Sequence, residues 1–202
     1  MRIVERYKSL IAYIFILAGM AGCENSPAEK YEKIEKTELA TGVRYDSLFK
    51  GIYLSMSRKA FMDHCFNMNL QGEFRQGGIK NGTWVEYKLK NEMKYPAAIN
   101  FFPKFKNNVI TEMDASIYYD HASFPDKVFN SDSLLYDVLH LMEDWYGPGF
   151  IKIQSPYFYK DDVFVKVNGN RRITLYQDQS EHIINLWFVD LLAKNEENEK
   201  DG

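Results

Sequence analysis

Apolar residues recur at helical spacing twice along this 202-residue chain, and each time alternating, strand-like segments follow. Phe61, Met62, Cys65, Phe66 and Leu70 share one broad helical stripe, with Ser57 as N-cap ahead of them and Gly72 as a stop. Leu134, Leu135, Val138, Leu139, Met142 and Trp145 form the second stripe, which begins near Ser131 or Ser133. Asp132 suits its first turn, and Gly147-Pro148 closes it. Strands are expected over 83–89, 97–102 and 109–119 after the first helix, and over 150–154, 163–167, 173–176 and 183–189 after the second. Asn81-Gly82 and Asn168-Gly169 are hairpin-turn dipeptides.

The second hairpin carries a register argument. Val163, Val165 and Val167 lie on one face of their strand, and Ile173 and Leu175 on one face of theirs. Setting these two groups opposite each other requires an odd-numbered loop, so a three-residue turn around Gly169 with a bulge is expected. A tight two-residue turn would place Lys166 opposite Arg171. The fold class that follows is α+β: two successive units, 42–120 and 131–193, each a helix and then an antiparallel meander. The helices are expected on one face of the sheet or sheets, and one continuous sheet and two layers are both open.

The ends of the chain differ from this middle. Arg2, Arg6 and Lys8 form a basic start, Leu10 to Leu17 is almost wholly apolar, and Ala18, Gly19, Ala21 and Gly22 lead into Cys23. That sequence of features is a secretory signal peptide over 1–22, too short to span a bilayer as a mature helix. Residues 24–41 are rich in Glu and Lys and read as a charged tether, of which Tyr31 to Leu39 has the makings of a short helix. Residues 194–202 are a polar tail.

The residues Met20-Ala21-Gly22-Cys23 resemble a bacterial lipobox, which implies that Cys23 is the lipidated residue. A second resemblance rests on Leu48-Phe49-Lys50-Gly51-Ile52 followed by Met56-Ser57-Arg58-Lys59-Ala60-Phe61. This opening is similar to the helix start of envelope lipoproteins of the SmpA/OmlA type and of the related beta-lactamase-inhibitor-like fold. Ser55 stands where those families have Gly, and the helix exits through Asn69-Leu70-Gln71-Gly72 rather than a Leu-Gly-x-Pro turn. The whole chain also resembles uncharacterised lipoproteins of Bacteroidetes-type bacteria. These likenesses imply helix-then-meander units on a lipid-anchored scaffold, and they bring no catalytic residues with them.

Composition narrows the function. Cleavage before Cys23 leaves 180 residues with 22 basic and 27 acidic side chains, taking the formal charge from −3 to −5. Such a chain lacks the clustered cations that nucleic acid requires, while 46% hydrophobic and 15% aromatic residues are ample for a packed core. The four histidines, His64, His121, His140 and His182, show no metal-ligand spacing, and with one further thiol, Cys65, they make no zinc site. Asp161 and Asp162 beside Asn168 and Asn170 miss the alternating-oxygen pattern of a calcium loop. No phosphate-cradling glycine loop and no nucleophile elbow is present, so no cofactor is implied.

Two groups remain as binding candidates. Tyr157, Phe158 and Tyr159 follow Pro156 in an expected loop and are candidates for an exposed aromatic cluster. Arg171 and Arg172 are the compact basic pair of the body, one of which must face outward from a strand. The reading that follows is a non-enzymatic binding or assembly module, lipid-anchored to a bacterial membrane on the periplasmic or surface side, with an envelope protein as partner. A saccharide-binding lipoprotein, and a small hydrolase whose site is assembled from distant residues, stay open because triads are recognised by geometry and not by spacing.

Overall fold

The computed structural model describes residues 26–77, 84–120, 131–154, 163–177 and 182–193. Its elements run α1 (Pro27–Ala40), α2 (Arg58–Leu70), β1 (Phe74–Gln76), β2 (Val85–Leu89), β3 (Ala97–Lys106), β4 (Val109–Tyr119), α3 (Ser131–Tyr146), β5 (Ile151–Ile153), β6 (Val163–Asn168), β7 (Arg171–Gln177) and β8 (Ile184–Asp190). All eight strands join one antiparallel sheet in the order β1-β2-β3-β4-β8-β7-β6-β5. The sheet is therefore continuous, and β4 meets β8 at its centre with Ala115 opposite Leu186.

Pairing through the ladder sorts the side chains into two faces. Tyr87, Ile99 and Ile117 stand in one row and Phe101, Ala115, Leu186 and Leu175 in the next, all buried on the same face. Phe61 of α2 and Leu134, Val138 and Met142 of α3 close this face, joined by Leu48, Phe49, Ile52, Leu54 and Met56 from the segment before α2. Phe49 alone meets Phe101, Phe188 and Trp145 at ring-centroid distances of 5.0 to 6.0 Å. One core thus runs under both helices.

α2 and α3 share one face as expected, and α1, from the 24–41 segment, covers one end of the opposite face. Its helix is longer than the Tyr31–Leu39 stretch, because Ser26 and Glu29 form a capping box and Pro27 fits the first turn. Tyr31, Ile34 and Leu39 then pack on Val163, Val165, Val167 and Val189. That second small core corrects the hairpin expectation. Asn168 pairs with Arg171 across a two-residue turn at Gly169-Asn170, one position later than the Asn168-Gly169 dipeptide, so Lys166 lies opposite Ile173 and not Arg171, and Val165 lies opposite Thr174. The two valine and isoleucine-leucine groups face opposite ways because each has its own helical cover. The sequence pattern shows two apolar faces but not that both are buried.

Candidate functional site

α2 forms as the N-cap requires: Ser57 Oγ accepts from the Ala60 amide at 3.2 Å, and the Gln71 amide donates to the Asn67 carbonyl at 3.2 Å. Its apolar residues, however, do not all enter the core. Phe61 is buried and Cys65 and Met68 are half-buried, while Met62, Phe66 and Leu70 are 48%, 64% and 70% exposed. The stripe is too wide for one sheet face, since Phe61 and Met62 are about 100° apart on the helix. Its outer half, at i, i+4 and i+8, makes a continuous ridge pointing away from the body.

Beside this ridge lies a groove of about 540 Å³ between α2 and the β1 edge of the sheet. Phe61, Met62, Cys65 and Phe66 line it from the helix, and Phe74 and Val85 from the strands. Arg58, Asn69, Arg75 and Gln76 are its exposed polar residues. The Arg58 guanidinium sits 4.0 Å over the Phe105 ring, and Arg75 pairs with Glu86 at 2.8 Å. Burial pushes the Cys65 thiol up to about 12, which keeps it protonated and unreactive in the groove wall. The groove offers apolar walls and hydrogen-bond donors at its mouth.

A second concavity, of about 340 Å³, lies on the opposite sheet face among Arg75, Glu86, Lys88, Tyr118 and Asp120. Its charges are tied to one another: Lys88 to Asp120 at 2.8 Å, and Tyr118 Oη donating to Glu86 at 2.7 Å. Elsewhere Glu92 accepts from Tyr87 Oη at 2.5 Å and pairs with Lys50 at 3.1 Å. Burial opposes its charge, yet those bonds, with the Asn91 amide, pull its pKa down to about 2.

The arginine pair of the sequence divides between the two faces. Arg171 is buried, donates to the Ser47 carbonyl and stands 4.6 Å from the Tyr146 ring; burial lowers its pKa. Arg172 lies under α1, 4.9 Å from the Trp187 ring, and donates to Tyr31 Oη at 3.1 Å. Both guanidinium groups are taken up in holding the fold, and the Nε of each has no hydrogen-bond acceptor among the described residues. Cys23, Tyr157, Phe158 and Tyr159 lie outside the described residues, as do His121, Asp161, Asp162 and the Asn81-Gly82 turn.

Two of the described histidines have different surroundings. His64 Nε2 donates to the Lys50 carbonyl at 2.7 Å and packs against Phe74, whereas His140 is exposed with Glu143 at 3.8 Å. Among the described residues no three His, Cys, Asp or Glu side chains gather to hold a metal. Nor is any described helix long and apolar enough to cross a membrane. No protein-family model, no curated protein and no solved structure matches the chain.

The outward ridge of α2 is the feature that sequence reasoning missed. Its signal was present as the excess width of the apolar stripe, five residues over an arc that no single sheet contact can cover.

Proposed function

We propose that the chain is a non-enzymatic binding or assembly module of the bacterial cell envelope, held to a membrane by lipid on Cys23 and presenting the α2 groove to a protein partner. The observation that carries this reading is the exposed Met62–Phe66–Leu70 ridge beside an apolar groove, since soluble surfaces seldom leave large apolar side chains contiguous without use. The body is read as two helix-then-meander units, one of α2 with β1–β4 and one of α3 with β5–β8. Element order and the meeting of β4 with β8 at the sheet centre support that reading.

Chain length bears on the anchor. Only Glu24, Asn25 and Ser26 separate Cys23 from the first residue of α1, a reach of at most about 10–14 Å. Because α1 is docked on β5 and β6, a lipid on Cys23 holds that end of the sheet close to the bilayer. Metabolic labelling with a fatty acid, followed by membrane fractionation, tests the reading. The parent chain takes up label and sediments with membranes, and Cys23→Ser takes up none and is left unprocessed. Equal fractionation of the two chains with no label in either would falsify the anchor.

A further inference from the structure

Asparagine followed by glycine is especially prone to spontaneous deamidation, because the glycine nitrogen approaches the preceding carboxamide unhindered by a side chain. Asn168-Gly169 is such a pair, and it sits where α1 meets the β6–β7 turn. In the reaction the Gly169 nitrogen gives its proton to hydroxide and bonds to Asn168 Cγ. The Cγ–Nδ2 bond breaks, and ammonia leaves with a proton taken from water, which restores the hydroxide. A second water opens the cyclic imide at either carbonyl, giving aspartate or isoaspartate. One water is consumed, one ammonia is released, and nothing is oxidised or reduced.

Both partners in that reaction are controlled by the fold. The Gly169 amide, which must lose its proton, donates to Glu38 of α1 at 2.8 Å. A carboxylate in that position holds the proton and disfavours the amide anion. Gly169 is also packed so closely that a Cβ would lie 2.0 Å from the Val43 carbonyl oxygen, so the turn has little room to twist. The product fits the same surroundings badly. Asn168 Oδ1 is buried and has no hydrogen-bond partner among the described residues, so a carboxylate there enters a site with no donor to receive it. Covalent geometry keeps Asn168 Cγ within about 5 Å of the Gly169 nitrogen, which sets the new charge beside that of Glu38.

We propose that Asn168 is a deamidation site gated by α1. Docked α1 suppresses the reaction through Glu38, and a deamidated residue 168 repels Glu38 and releases the helix. α1 is suited to release, since none of its fourteen residues is fully buried. The consequence for the cell rests on the reading that Cys23 carries lipid. Release then lengthens the link between the anchor and the body from at most about 14 Å to roughly 25 Å, and it does so irreversibly.

The test holds the full-length chain at physiological temperature and mildly alkaline pH and follows, by peptide mass spectrometry, the gain of about one dalton at Asn168. Glu38→Ala and Ile34→Asp should each deamidate there at least about fivefold faster than the parent, because the reaction needs the open form. Asn81-Gly82 lies in the chain between β1 and β2, six strand steps from β6, and serves as the internal control. Its rate should be the same in all three chains. In limited proteolysis Asn168→Asp should be cut within residues 27–40 about threefold sooner than the parent, and adding Glu38→Gln should slow that cleavage again. Circular dichroism checks that Asn168→Asp is folded; if it is not, the deamidation rates decide by themselves. Parental or slower deamidation of Asn168 in Glu38→Ala, or equal acceleration at Asn81, overturns the gate. Parental cleavage of folded Asn168→Asp overturns release by deamidation. These readouts do not involve lipid, so they fail separately from the anchor, which fatty-acid labelling of Cys23 tests alone.

Discussion

Gly169 shows how one residue fixes the meeting of two distant parts of the chain. Its φ is +50°, and a Cβ there would lie 2.0 Å from the Val43 carbonyl oxygen and 3.0 Å from the Tyr45 ring. Its amide donates to Glu38 at 2.8 Å. Its neighbour Asn170 accepts from the Tyr45 amide at 2.6 Å and donates to Asp46 and Asp190 at 3.1 and 3.2 Å. The hairpin turn is thus the clamp on which the 43–47 segment rests. Gly169→Ala is expected to lower stability by about 2–4 kcal/mol, combining left-handed strain with an overlap against backbone that cannot move aside. Denaturant unfolding of variant and parent measures it, and a loss below 1 kcal/mol means the segment gives way. Ser55 illustrates the converse. It stands at φ +67° with a side chain in place, and no reading of the sequence marked an unusual backbone there.

At the scale of elements, what could be read was governed by how local each cause is. α2 and α3 were legible because their caps and spacing are contained within a few turns. β1 was not: Phe74–Gln76 is three residues long and exists through its pairing with β2. Of α1 only the stretch Tyr31–Leu39 was read as helix, within a tether; neither its start at Ser26-Pro27-Ala28-Glu29 nor its docking was read. The helix has no fully buried residue, and its contact depends on Tyr31, Ile34 and Leu39 meeting valines more than 120 positions away. Ile34→Asp places a charge in that contact and is expected to release α1. Limited proteolysis should then cut within residues 27–40 sooner than in the parent, with a loss of global stability of about 1–2 kcal/mol. Unchanged cleavage would show that the polar ties of Tyr31 and Glu38 hold the helix by themselves. The same contact explains why the Val163–Val165–Val167 face turned away from Ile173 and Leu175.

For the whole molecule, one continuous core beneath α2 and α3 makes stability a collective property, and acid probes it. Glu92 links the segment before α2, through Lys50, to β2, through Tyr87. Its folded pKa of about 2 lies below the ordinary 4.5, so its stabilisation is present above pH 4.5 and lost as pH falls toward 2. Glu92→Gln should accordingly lower the thermal midpoint near neutrality, with the gap to the parent narrowing across that window. A constant gap down to pH 2 would mean that the carboxylate's charge is not what the site stabilises.

By itself the sequence determined the α+β class, the two long core helices and most strands, since each follows from patterns and caps within ten or so residues. It also supplied the candidate chemistry, an apolar stripe and a paired arginine. Tertiary structure alone decided which of those groups are used up. It placed Arg171 in the core and Arg172 beneath α1, chose the two-residue turn, and left Met62, Phe66 and Leu70 uncovered. Burial is settled by what lies across the sheet, and the partners that cover a residue are distant in the chain. No local pattern can count them.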